Sequence, residues 1–337
     1  MKKLLIILVI LAILALVATA AGCTVTSALE GYKAAAKKTA QVDRAQTMAT
    51  FNYHMDFTGP GLTPEGRKNL EIFREVKGTF VTKFDRKKKI IFVDGHLDLA
   101  GMGLDIKAWS DGDRVILLLP MFTRYLVLDW YTLAEQARSG ESQPEPGVGE
   151  KLKELWKGLL NPNNISRTGE RLIATAEGDI RATGYRVTLS EAEIKNLSRE
   201  FLRIIFSDRE LRGWIVKNWL KYSEEKDKTG ETIERELDQM AETVQNNIDR
   251  AHIKKFEYTG AVDRDSYLVE ENVAYKADVD TGKGVAVDID YTLQIKRWAF
   301  GREVQVDFPR LDAANSFTLE AIDENTPKMF EGLLKKK

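Results

Sequence analysis

The chain has 337 residues, 43% of them hydrophobic, which is enough for a substantial core and too many for wholesale disorder. Lys and Arg number 50 against 51 Asp and Glu, an interspersed balance that excludes the basic face of a general nucleic-acid binder. A single cysteine, Cys23, excludes disulfides, thiolate catalysis and cysteine metal sites from everything after it.

The chain opens MKKLLIILVILAILALVATAAGC. Lys2 and Lys3 supply a positive start, Leu4 to Val17 is an unbroken apolar run, and small residues lead to Cys23. This is the layout of a secretory signal. With Ala20-Ala21-Gly22-Cys23 as its lipobox, the segment resembles that of a bacterial lipoprotein. The resemblance implies a diacylglyceryl group on the Cys23 thiol and removal of residues 1–22 as a signal peptide. Two acyl chains matter, because one chain, at about 0.8 kcal/mol per buried methylene, holds a protein only marginally. The alternative is an uncleaved anchor, since Leu4 to Gly22 has the length of a spanning helix, about 17–25 residues. Both readings tether the remaining chain to a cell membrane or envelope on its extracytoplasmic face. Without Lys2 and Lys3 the balance is 48 basic against 51 acidic residues, a formal charge of −3.

Residues 23–46 read as a short tether followed by a helix, with Leu29, Tyr32, Ala36 and Ala40 at helical spacing. From Met48 the period changes to two. Phe51, Tyr53, Met55 and Phe57 alternate with Asn52, His54 and Asp56, the pattern of a half-buried strand that Gly59-Pro60-Gly61 stops. Further strands are expected over 76–85, 90–100, 104–109, 115–119 and 125–128. Ser110-Asp111-Gly112-Asp113 makes a hairpin turn, and the short connections make the sheet antiparallel. Ser139 to Gly149 is a polar loop with two prolines. Lys151 to Leu160 reads as a helix and Ile165 to Leu189 as strand.

Ser190-x-x-Glu193 is a capping box that opens a helix carrying Ile194, Leu197, Phe201 and Ile204. A second helix carries Leu211, Trp214 and Trp219. A third runs from about Glu231 to His252 with Ile233, Leu237 and Met240. Strands follow over 253–262, 267–279, 285–295 and 304–308, then a frayed tail over 328–337. Residues 47–327 are therefore expected to form a single α+β domain. It is a large curved antiparallel sheet with helices packed across one face and a helical insertion at about 151–252.

No catalytic set stands out. His54, His96 and His252 lack metal-ligand spacing, and there is no nucleophile elbow, phosphate loop or dinucleotide fingerprint. Asp278-x-Asp280-x-Gly282 departs from a calcium loop, because the twelfth position is Ile289, and it reads as a hairpin turn. Asp288 and Asp290 share a strand face that reads as solvated. The chain is expected to be no enzyme, with no metal and no cofactor.

What remains is aromatic. Phe51, Tyr53, Phe57, Phe80 and Trp109 lie on strands, and Phe201, Trp214 and Trp219 on helices. Such a set fills a core or lines a cavity for an apolar ligand. Periodicity alone favours the core, since a cavity leaves no periodicity of its own. A tethered, exported chain with a long antiparallel sheet, interrupted by helices and devoid of catalytic motifs, resembles the LolA/LppX/LprG group of lipoprotein and lipid carriers. That resemblance covers about Ala49 to Phe308. It implies an incomplete barrel closed by helices over a hydrophobic cavity lined by those eight aromatics. The expected function is an anchored lipoprotein binding an apolar or acylated ligand. The alternative is an envelope interaction or assembly module without a cavity. The expected partners are a membrane, a lipid or acylated ligand, or an envelope protein, and no nucleic acid.

Overall fold

The computed structural model describes residues 27–71, 74–120, 122–129, 148–209, 211–213, 215–216, 229–282 and 284–318. Cys23, Trp214, Trp219 and the 139–147 part of the proline loop lie outside these residues, as does the C-terminal tail. Among the described residues no helix is long and apolar enough to cross a membrane.

Helix α1 (Ala28–Ala40) starts at a capping box: Glu30 N donates to Ser27 Oγ at 3.1 Å and Ser27 N donates to the Glu30 carboxylate at 3.3 Å. Its buried residues are Tyr32 and Ala35, so the helix belongs to the core rather than to a tether. Strand β1 (Arg44–Thr58) begins earlier than the alternation suggests, and Arg44 pairs with the fully buried Asp85 at 2.7 Å. A short helix α2 (Pro64–Leu70), not anticipated, precedes a meander. The meander is β2 (Glu75–Asp85), β3 (Ile90–Leu99), β4 (Met102–Ser110), β5 (Arg114–Leu118) and β6 (Tyr125–Asp129).

After α3 (Val148–Leu159) the expected helical insertion is broken by a hairpin, β7 (Ile165–Thr175) and β8 (Gly178–Val187). Helices α4 (Glu191–Ser207) and α5 (Gly230–Arg250) follow. The chain then passes directly into β9 (Ala251–Asp263), β10 (Leu268–Asp280) and β11 (Ala286–Trp298). His252 therefore sits on a strand opposite Asp278 and not at a helix end, because Ala251 is already extended.

These strands and β12 (Ser316–Thr318) form one twelve-stranded sheet, in the order β12-β6-β5-β4-β3-β2-β1-β11-β10-β9-β8-β7. Every pairing is antiparallel except β12 with β6. Residues 304–308 do not add a strand. Both neighbours of β11 are already occupied, by β1 and β10, so the chain turns at Ala299 and crosses one face of the sheet to reach the free edge of β6.

The other end of the sheet curls. Lys296 Nζ donates to Ala174 O at 3.0 Å, Arg302 to Glu177 at 2.8 Å, and Arg171 pairs with the buried Glu270 at 2.7 Å. The β7–β8 hairpin thus folds back over β10 and β11, leaving an incomplete barrel. Ile173, Ala182, Ala261 and Val269 fill that curl. A larger core lies on the opposite face, where Tyr32, Ala35, Leu160, Tyr185, Val187, Ile194, Tyr258 and Leu268 join α1, α3 and α4 to β8–β10. Full burial of each large apolar side chain there contributes about 1.5–3 kcal/mol.

Candidate functional site: an apolar sheet face and the cavity at its end

Strand pairing places side chains in rows across the sheet. One row reads Leu104, Leu97, Gly78, Phe51, Leu293, Val273 and Tyr258 from β4 to β9. The next reads Met102, Leu99, Val76, Tyr53, Tyr291, Tyr275 and Phe256. A third carries Ile106, Gly95, Phe80, Ala49, Ile295 and then Glu271. All three rows point to the face that α1 and α3 cover at β8–β10. Over β1–β4 and β11 their side chains are mostly half-buried, neither closed off nor fully in water. The opposite face alternates into polar residues, among them Thr50, Asn52, Asn272, Thr292 and Gln294.

The rings lie low on this face. Phe51 and Phe80 stack at 6.2 Å with 4° between their planes. Each covers a glycine of the neighbouring strand: a Cβ on Gly78 would come within 2.5 Å of Phe51, and one on Gly95 within 2.3 Å of Phe80. Two glycines thus make room for two rings, which produces a flat apolar floor. Tyr53, Tyr291 and Tyr275 form a band across three strands, and burial holds each phenol above its ordinary value.

Beyond Ala49 the same face runs into a cavity of about 360 Å3 beneath α1 and α3. Its walls include Tyr32, Ala36, Thr47, Phe84, Trp156, Leu160 and Phe300. Its polar wall is a chain of contacts. The Tyr32 and Tyr258 hydroxyls are hydrogen-bonded, Tyr258 donates to Glu271 at 2.6 Å, and Glu271 pairs with Arg297 at 2.5 Å. Burial, and then the Glu271 charge, push both phenols upward. Both therefore stay neutral donors at ordinary pH. Lys33, Arg86, Lys153 and Lys157 complete the lining.

Of the eight aromatics read from sequence, Phe51, Tyr53, Phe57 and Phe80 share this face. Trp109 does not. It pairs with Phe92 on the opposite face, is 7% exposed, and donates its Nε1 to Asp307 O at 3.0 Å beneath the crossing 299–315 segment. A closed core claims it, because it follows Leu104, Ile106 and Ala108 out of phase. Phe201 is 42% exposed, and no ring contact among the described residues joins it to the strand aromatics. Trp214 and Trp219 lie outside the described residues. Sequence reading missed Tyr291, Tyr275, Leu293 and Trp156, as well as the Tyr32–Tyr258–Glu271–Arg297 wall.

Of the charged groups singled out earlier, Asp278, Asp288, Asp290 and His96 are paired. Lys254 bridges Asp278 at 2.5 Å and Asp288 at 3.3 Å, Lys276 pairs with Asp290 at 2.6 Å, and His96 meets Asp105 at 2.7 Å. Among the described residues no cluster of three His, Cys, Asp or Glu is placed to hold a metal.

The fold is α+β, a large and mostly antiparallel open sheet with a few helices. The chain is weakly similar to two solved structures. One is the ywiB protein of Bacillus subtilis, at 6% identity and TM-score 0.15, covering 74% of this chain and 92% of that one. The other is a β-barrel-like protein of domain of unknown function DUF1849 from Brucella abortus, at 7% identity and TM-score 0.19, covering 76% and 99%. No family model matches the chain. No curated protein matches it in sequence.

Proposed function

We propose that the protein is a membrane-anchored extracytoplasmic lipoprotein that binds an apolar or acylated ligand between the sheet and its helices. The observation that carries this reading is the row structure. Apolar side chains, interrupted only at Gly78 and Gly95, run from β4 to β11 on one face and are mostly half-buried there. A face meant only for packing buries such side chains, whereas one that receives a ligand keeps them reachable. Phe51 and Phe80 form the floor, Tyr53, Tyr291 and Tyr275 the band beside it, and the cavity under α1 receives one end of the ligand. The leader sequence and Cys23 supply the tether. No reaction is assigned to the site.

The test has two arms. Protein purified without added lipid is extracted with organic solvent, and the extract is examined by mass spectrometry for bound lipid. The stripped protein is then titrated with a fluorescent fatty-acyl probe, beside a Phe51→Ser, Leu293→Ser double variant. Recovery of lipid, or probe binding that the double variant loses, supports the reading. An empty protein that ignores the probe refutes it and favours the envelope-module alternative, which crosslinking in cells then addresses. Anchoring is tested separately, by incorporation of labelled fatty acid and its loss in Cys23→Ser.

A further inference from the structure

The cavity at the end of the apolar face has a charge the rest of the chain lacks. Overall the chain is balanced, at −1. The cavity lining holds five cations, Lys33, Arg86, Lys153, Lys157 and Arg297, against one carboxylate, Glu271. Glu271 is committed to Arg297 and Tyr258. Among the described residues no second carboxylate lines the cavity to neutralise the remaining four cations. Lys33 donates to Leu160 O at 3.2 Å and Arg86 to Ala40 O at 2.9 Å, contacts that leave their charge unneutralised. Lys153 and Lys157 line the cavity half-buried and make i,i+3 pairs with the exposed Glu150 and Glu154, and such pairs with solvated carboxylates are easily exchanged.

Apolar rows therefore lead along one sheet face to a partly enclosed pocket rimmed with positive charge. We infer that the pocket is the headgroup site for an anionic amphiphile, an acyl chain ending in a carboxylate or phosphate. The acyl chain lies over Phe80 and Phe51, and the anion sits between Lys33, Arg86, Lys153 and Lys157. The size agrees with this. A cavity of about 150 Å3 holds a benzene, so one of about 360 Å3 takes a headgroup and a short acyl segment, and the remaining chain must lie on the open face. The inference rests on the proposed apolar-ligand reading and adds the chemistry of the ligand's end.

The experiment compares hexadecanoate with 1-hexadecanol, which has the same chain and no charge, on the full-length protein stripped of lipid. The carboxylate is expected to bind about tenfold tighter, with the advantage shrinking as salt rises from about 0.05 to about 0.5 M. The Lys153→Glu, Lys157→Glu double variant, which reverses the charge of two half-buried lining residues, is expected to remove that advantage, so that hexadecanoate binds no tighter than hexadecanol, and far-UV circular dichroism checks that the variant is folded. Equal binding of acid and alcohol, indifferent to salt and to the variant, overturns the headgroup assignment while leaving the apolar site standing. Displacement of hexadecanoate by inorganic phosphate alone, without any contribution from chain length, overturns it in favour of a free-anion site. Binding of neither compound by a folded protein defeats the underlying reading instead.

Discussion

The ring of Phe80 occupies the space above Gly95, where a Cβ would come within 2.3 Å of ring carbon. The ring lies flat because β3 offers no side chain there, and Phe51 stacks on it from the other side. Gly95→Ala must lift Phe80 and with it the stack. Overpacking of this kind costs about 1–3 kcal/mol, to be measured by urea unfolding, and acyl-probe affinity is expected to fall with it. Gly158 is the control. It sits in α3 with nothing near its missing Cβ, so Gly158→Ala is expected to stabilise by about 0.4–1 kcal/mol.

Alkaline pH should weaken the fold through Tyr32 and Tyr258. Burial, then the Glu271 charge, raise both phenols above the 10.0 of an ordinary tyrosine. Below pH 10 the folded and unfolded states are equally protonated at these groups, and their contribution is fully present. Above it the unfolded chain ionises first, the folded state holds more protons, and stability falls as pH rises. Tyr53, Tyr275 and Tyr291, raised by burial, add in the same direction. Tyr258→Phe is expected to flatten this slope. At neutral pH it should cost about 1–3 kcal/mol, because Glu271 loses a donor. Chemical unfolding from pH 7 to 11 measures both, and an unchanged slope in the variant counts against the buried pair.

What the sequence made legible was periodic. Phe51, Tyr53, Met55 and Phe57 alternate because β1 has one apolar side, and counting by two gives the face without any coordinates. The same count applied to Leu104, Ile106 and Ala108 puts Trp109 on the other side, so its placement was readable from parity even though its aromatic character suggested otherwise. The strand character of 165–189 was legible, but its division into the β7–β8 hairpin was not, because Ile165–Thr175 is mostly exposed and alternates weakly. The cavity had no local signature at all. Tyr32 and Tyr258 meet across 226 positions, and only the curled sheet brings α1, α3, β10 and β11 to one place. Residues 299–315 follow topology rather than propensity, crossing the sheet because no free strand edge is near.

The capping box at Ser190 was visible in four letters and forms as expected, with Ser190 N donating to Glu193 Oε2 at 2.8 Å and Glu193 N to Ser190 Oγ at 3.3 Å. Ser190→Ala removes the acceptor for a backbone N–H that has no helical partner. The expected loss is about 1 kcal/mol, read as a lower melting temperature, whereas Ser190→Asp retains an acceptor and should stay near the parent value.

Tryptophan emission can separate the two faces of the sheet. Trp156 lines the cavity, with its ring 4.8 Å from that of Tyr258, so a ligand entering there changes its surroundings directly. Trp109 lies on the opposite face, packed against Phe92 at 5.5 Å and Tyr125 at 6.0 Å and hydrogen-bonded to Asp307 O. A ligand on the apolar face exchanges no contact with it. Trp156→Phe is therefore expected to abolish most of the emission change on adding an acyl ligand, while Trp109→Phe lowers the total signal and leaves the change intact. The reverse pattern would place the ligand beneath the 299–315 segment, on the face that Thr50 and Asn52 line. In that case the half-buried rows around Phe51 and Phe80 would need a different occupant.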